Sequence, residues 1–133
     1  MRPDEGKVRE DQVVWQCPRG IAHVPSPLLI GKELFVIDNG GVATCVDALT
    51  GREYWRERLE GAHDASPIEV SGRIYFCNRE GKTTVLSVGT EFRTLAINQL
   101  DGVFRASPAV ADGALFLRSD THLYRIEEKD LSQ

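Results

Sequence analysis

Three histidines are the first candidates for chemistry in this chain. His23 and His63 stand 40 residues apart, each three residues before a Ser-Pro dipeptide, and His122 opens an apolar stretch. A metal would need at least three convergent ligands, and the sequence shows no third partner in register with the first two. The position after His63 in the same phase is Phe104, so a ring there, imidazole or phenyl, reads first as packing. Gly81-Lys82-Thr83 imitates the end of a phosphate-binding loop. It lacks the glycine five residues earlier, where Phe76 stands, and the following TTVLSV reads as strand where a helix is required. Cys17, Cys45 and Cys77 contain no C-x-x-C pair, which argues against a zinc site and a disulfide framework. Three reduced, buried thiols are expected, with one disulfide and a spare thiol as the alternative. Aspartates and glutamates are scattered through turns, so no paired acid and base can be picked out.

The elements that carry these residues repeat. Ser-Pro recurs at Ser26, Ser66 and Ser107, with spacings of 40 and 41. Each is followed by a short apolar run, a glycine turn, and a second run that begins at Leu34, Ile74 or Leu115 (LFVI, IYFC, LFL). A polar turn and a third run follow (VATCV, TTVLSV, HLYRI). The first two units add a fourth run, EYWRERL and FRTLAINQL. Four short strands per unit of about 40 residues predict an all-β fold of four-stranded antiparallel propeller blades, about three per chain. Nearly continuous runs such as IYFC suit strands covered on both faces. Proline at the second position of each first strand can be tolerated only where the chain enters the sheet or at an edge, because it donates no backbone hydrogen bond. Trp15 lies 40 residues before Trp55, so QVVWQCP reads as the outer strand of a preceding blade.

The organisation expected is therefore a charged tail over 1–11, an outer strand over 12–18, blades over 24–59 and 65–100, three strands of a last blade over 106–127, and a tail over 128–133. With a net charge of −4 the 133-residue chain is not a basic nucleic-acid binder. No run approaches the roughly 18 apolar residues of a membrane helix, so no membrane insertion is expected. The charged opening MRPDEGKVRED is not a signal peptide, which predicts a cytoplasmic chain as written, or a periplasmic or secreted one if it belongs to a longer parent.

CVDALTGREYW resembles the tryptophan-docking motif A-x-D-x-x-T-G-x-x-x-W of the PQQ-like β-propeller repeats. Asp47, Thr50, Gly51 and Trp55 match in register, and Cys45 stands at the alanine. The Ser-Pro phrases and DGALFLRSDTHLYRI are similar to the same family, so the resemblance runs from about residue 13 to 127. It implies that the tryptophan sits between neighbouring blades while the aspartate and Thr-Gly turn fix the corner. In the second unit GTEF replaces ALTG and Leu95 falls 40 residues after Trp55, implying a weaker or different contact there. Quinoproteins of this family hold pyrroloquinoline quinone with an adjacent cysteine pair, calcium and an aspartate base. No adjacent cysteines occur here, so no cofactor is expected.

Loops at one end of the blades would surround the channel mouth. They place His23, His63, Asp64, Arg105, Asn39, Arg79, Arg118 and Asp120 there as candidate binding residues. The expectation is a non-catalytic scaffold that binds protein partners, similar to the propeller lipoprotein of outer-membrane assembly. The alternative is a C-terminal fragment of a quinoprotein dehydrogenase. Three blades cannot close a ring. A homodimer closing six blades is expected, with residues 12–18 of one chain completing the last blade of the other, and a nine-bladed trimer or a fragment as competitors.

Overall fold

The computed structural model describes residues 9–16 and 25–127. Eleven strands form three antiparallel sheets among these residues. The first blade is β1 (Leu28–Ile30), β2 (Glu33–Ile37), β3 (Val42–Asp47) and β4 (Glu53–Arg58), and the second is β5 (Ile68–Val70), β6 (Arg73–Cys77), β7 (Lys82–Ser87) and β8 (Thr94–Gln99). The third has three strands, β9 (Ala109–Ala111), β10 (Ala114–Arg118) and β11 (Leu123–Glu127), and β11 is its open edge. Each sheet runs in chain order as a meander. Tight turns make this possible. Ser71-Gly72 and Asp112-Gly113 both have positive φ at the two central positions, the backbone that joins twisted strands in two residues.

Alternation along the second strands decides how blades stack. Phe35 and Ile37 of β2 pack with Ile74, Phe76 and Leu86 of the second blade. Tyr75, Cys77 and Val85 point the other way and pack with Leu115 and Leu117 of the third. The middle sheet is thus buried on both sides, as its continuous apolar runs require. A repeated hydrogen bond ties the blades at their starts: Ser26 N–H donates to Ser66 Oγ (2.7 Å), and Ser66 N–H to Ser107 Oγ (2.9 Å). Each Ser-Pro serine is therefore a rung between blades. Each proline falls one residue before its first strand.

Residues 13–16 pair with no strand of the single chain; Cys17 and Pro18 fall outside the described residues. One expectation changes. The equivalent of Trp55 is Ala96, not Leu95: Trp55 pairs with Cys45 and Ala96 with Val85, since the turn before β8 is one residue longer. The free face of the third blade mixes charge with apolar side chains, Leu123 among them at 74% exposure. Arg125 pairs with Phe116, where Cys45 pairs with Phe35, and its guanidinium sits 5.8 Å from the Phe116 ring centre. Arg118 stands where Ile37 and Cys77 end their strands.

Trp55 is 8% exposed, 6.2 Å from Phe35 and 5.1 Å edge-on from Phe92 of the next blade. Its Nε1 is buried without an acceptor among the described residues, an arrangement that costs about 1–3 kcal/mol against the gain from aromatic burial. Trp55→Ala is expected to remove about 3–5 kcal/mol of stability, measured by urea unfolding. Trp55→Phe should cost less than that, because it also removes the orphaned donor.

Candidate functional site

The loop after β6 meets the leading loop of its own blade and that of the next. Arg79 N–H donates to the Ala62 carbonyl (2.7 Å), and the Arg79 carbonyl accepts from Phe104 N–H (2.7 Å). One repeat earlier His63 N–H donates to the Asn39 carbonyl (3.0 Å), and Asn39 Nδ2 donates to the His63 carbonyl (3.2 Å). One repeat later Asp120 N–H donates to the Val103 carbonyl (2.9 Å). The backbone thereby brings Asn39, His63, Asp64, Arg79, Arg105 and Asp120 to one end of the blades. His23 lies outside the described residues.

Asp64 is the electrostatic centre. Arg79 grips its carboxylate with two nitrogens, Nε to Oδ2 at 2.8 Å and a terminal nitrogen to Oδ1 at 3.0 Å. Arg105 of the third blade approaches the same carboxylate at 3.8 Å. The Arg79 hydrogen bonds hold the Asp64 carboxyl below its usual range, with the charges of both arginines adding to them. His63 is 1% exposed, and its Nδ1 lies 3.0 Å from the Gly61 carbonyl. Burial pushes its pKa down, which favours the neutral ring of a packed residue. His122 stacks on Tyr124 at 5.7 Å, and its Nδ1 lies 2.7 Å from Thr121 Oγ1. Arg105, Arg118 and Asp120, with Val103, Ala106 and Ser119, line a cavity of about 300 Å³ beside the third blade.

The corner after β3 is a second constellation. Asp47 Oδ1 accepts from Leu49 N–H (2.8 Å) and Thr50 N–H (3.1 Å), and Oδ2 accepts from Tyr54 Oη (2.9 Å). The Tyr54 hydrogen bond leads in holding this carboxyl low, with the backbone donors next. Tyr54, one residue before the tryptophan, is a partner the motif did not signal. Trp15 Nε1 donates to the Ala48 carbonyl (2.9 Å), and its ring lies so close to Gly51 that an added Cβ there would come within 2.7 Å. Gly51 also has φ +78°. In the second blade Ser87 stands opposite Arg73 as Asp47 stands opposite Glu33, and Phe92 supplies the ring contact in place of a Thr-Gly turn.

Cys45 and Cys77 are buried free thiols in separate clusters; Cys17 lies outside the described residues. Burial, with the Glu33 charge adding to it, pushes the Cys45 thiol up to about 12, and burial likewise raises Cys77. Neither is poised as a nucleophile at neutral pH. Among the described residues no three His, Cys, Asp or Glu side chains converge on a metal position. Cys45 and Cys77 lie on different blades, and the Asp64 carboxylate is held by Arg79. No helix among them is long and apolar enough to cross a membrane.

This geometry has known counterparts. The family model described as outer membrane protein assembly factor BamB matches residues 6–133. The chain belongs to that family. Among solved structures, it is similar to BamB from Moraxella catarrhalis, at a TM-score of 0.62 and 13% identity, covering 74% of this chain and 29% of that one. It is also similar to a europium-containing methanol dehydrogenase, at 0.51 and 15%, covering 59% and 16%. The chain thus spans less than a third of either, and at these identities the likeness shows a partial propeller fold. No curated protein matches.

Two outcomes follow. Gly51→Ala should displace Trp15, seen as a red shift in tryptophan emission, with a loss of about 1–2 kcal/mol. The Asp64–Arg79 pair, with its carboxyl pKa lowered, contributes stability at neutral pH that is lost as pH falls below the ordinary carboxylate range and through the folded-state value. Since Arg79 is 41% exposed, solvent screening keeps that contribution small. Asp64→Asn should flatten that part of the acid-unfolding profile.

Proposed function

We propose that these blades form a non-catalytic protein-interaction module whose contact surface is the loop end built around Asp64, Arg79, Asn39 and Arg105. The carrying observation is that three candidate groups there are already held by the repeat: Asp64 by Arg79, and His63 and Arg79 by backbone bonds to neighbouring loops. Such a surface offers fixed charge and shape rather than a free base or nucleophile. The family description names an outer membrane protein assembly factor, so a protein is the class of ligand this likeness suggests. A partner reading this surface should lose affinity on Arg105→Glu, which reverses a 71% exposed charge while leaving the Asp64–Arg79 grip in place. Calorimetry or pull-down with envelope protein extracts tests this, and quinone-dependent alcohol oxidation by the purified chain would overturn it.

Self-assembly belongs to the same reading. Beside the open edge of β11 lies a groove of about 210 Å³ lined by Thr83, Asn98, Leu100, Leu115, Leu117 and Ile126. Asn98 Nδ2 is buried there without a partner among the described residues. Trp15 has the same relation to the first blade's corner that Trp55 has to the second's, one repeat on, which supports reading both as docking tryptophans and 12–18 as the outer strand of a preceding blade. A second copy would supply that blade, giving a homodimer of six blades. Light scattering at micromolar concentration is expected to give twice 14.8 kDa, and a persistent monomer would remove this part of the proposal.

A further inference from the structure

The loops of successive blades interlock by one rule, and the third blade shows it half-completed. The two described leading loops each send a ring residue behind the previous blade's polar loop. His63 does so with its N–H on the Asn39 carbonyl, and Phe104 with its N–H on the Arg79 carbonyl; both side chains are 1% exposed. Phe104 packs in one cluster with Ala65 and Cys77.

The cavity of about 300 Å³ on the third blade is lined by Val103, Arg105, Ala106, Arg118, Ser119 and Asp120. One repeat earlier, 41 residues back, these are Ala62, Asp64, Ala65, Cys77, Asn78 and Arg79, of which Ala65 and Cys77 pack with Phe104 and the Arg79 carbonyl takes its N–H. The backbone repeats too, since Asp120 N–H is held by the Val103 carbonyl as Arg79 N–H is by Ala62. What differs is occupancy. No ring of the described residues enters this third position, and the Asp120 carbonyl accepts no hydrogen bond among them. The serine ladder stops at the same place. Ser107 Oγ takes the Ser66 N–H, but Ser107 N–H meets no acceptor among the described residues.

The chain contains three phrases with a ring three residues before Ser-Pro, beginning at His23, His63 and Phe104. The last two fill the two sockets already described. We propose that the third cavity is the socket for the remaining phrase, residues 20–27 of a second copy, with the His23 ring inside. His23 N–H then meets the Asp120 carbonyl, and Ser26 Oγ meets Ser107 N–H. The chemistry of the lining favours imidazole over phenyl. Arg118 replaces the apolar Ile37 and Cys77 of the other two sockets, and Asp120 adds a carboxylate, so a ring with both a donor and an acceptor nitrogen is matched where a hydrocarbon ring is not. This inference rests on the self-assembly reading and specifies its joint.

The test uses the full chain and a synthetic peptide, GIAHVPSP, of residues 20–27. Amide NMR of the labelled chain should show saturable shifts at Val103, Arg105, Ser119 and Asp120 on peptide addition. The His23→Ala peptide should bind about tenfold or more weakly, as expected for truncating a central ring. Ala106→Trp fills the cavity from an exposed position, so the variant should fold; it should abolish the peptide shifts and weaken self-association in light scattering. Peptide that shifts none of these amides, or that binds Ala106→Trp as well as the parent, overturns the socket. If the parent is a dimer that neither Ala106→Trp nor His23→Ala weakens, the socket fails while self-assembly stands. A parent that stays monomeric removes self-assembly itself.

Discussion

A four-stranded sheet that is apolar on both faces cannot be a stable object in water, and this constraint shapes the rest of the chain. Burial on one side leaves the other wet, so each blade needs a neighbour on either hand. The middle blade has both. Ile74 and Phe76 go to one neighbour and Tyr75 and Cys77 to the other, a division that follows from strand alternation alone. Every feature that repeats at 40 or 41 residues serves this stacking. The serine ladder sets the inner ends, the interlocked loops set one rim, and the tryptophans fill the outer corners.

Stacking also explains why the two corners differ in chemistry while keeping one geometry. At the first, Thr-Gly lets the Trp15 ring approach the backbone and gives its nitrogen the Ala48 carbonyl. At the second, a turn one residue longer brings Phe92 against Trp55 edge-on and leaves the indole nitrogen without an acceptor. Aromatic contact replaces a hydrogen bond as the means of filling the same gap. Specificity for tryptophan is strong where its nitrogen is used and weaker where only its area is.

The blades were legible in the sequence because packing on two faces forces apolar runs, and tight turns force glycine at fixed spacing. The loop cluster was legible too, because its backbone positions repeat. Less visible was what depends on a single residue of register. The extra residue before β8 moved the equivalent of Trp55 from Leu95 to Ala96, and no period of 40 or 41 reveals which strand absorbs the insertion. The charges on the free face were hidden for another reason. Arg118 and Arg125 lie in strands whose neighbours are apolar, and an exposed strand end and a buried one look alike until the sheet order is known. Tyr54 was missed because a tyrosine beside a conspicuous tryptophan reads as packing, although its hydroxyl reaches Asp47.

Stacking fixes the backbone of the loop end but leaves the signs of its charges free. Asp64 and Arg79 occupy two positions that in the next blade carry Arg105 and Asp120, the same pair with the charges exchanged. Both pairs sit on equivalent backbone bonds, from Arg79 to Ala62 and from Asp120 to Val103, so the exchange leaves the geometry alone. Because Arg105 also leans toward Asp64, the exchange links adjacent blades: a carboxylate on one blade faces an arginine on its own loop and another on the next. A uniform charge at these positions would instead stack like charges around the rim, which repel. The exchange therefore lets the second and third loops crowd together and, with the uncharged Val24 and Asn39 at the first blade's equivalent positions in the sequence, it makes the pattern differ from blade to blade on a constant frame. A partner that recognises one part of that rim is thereby given a reason to reject the next.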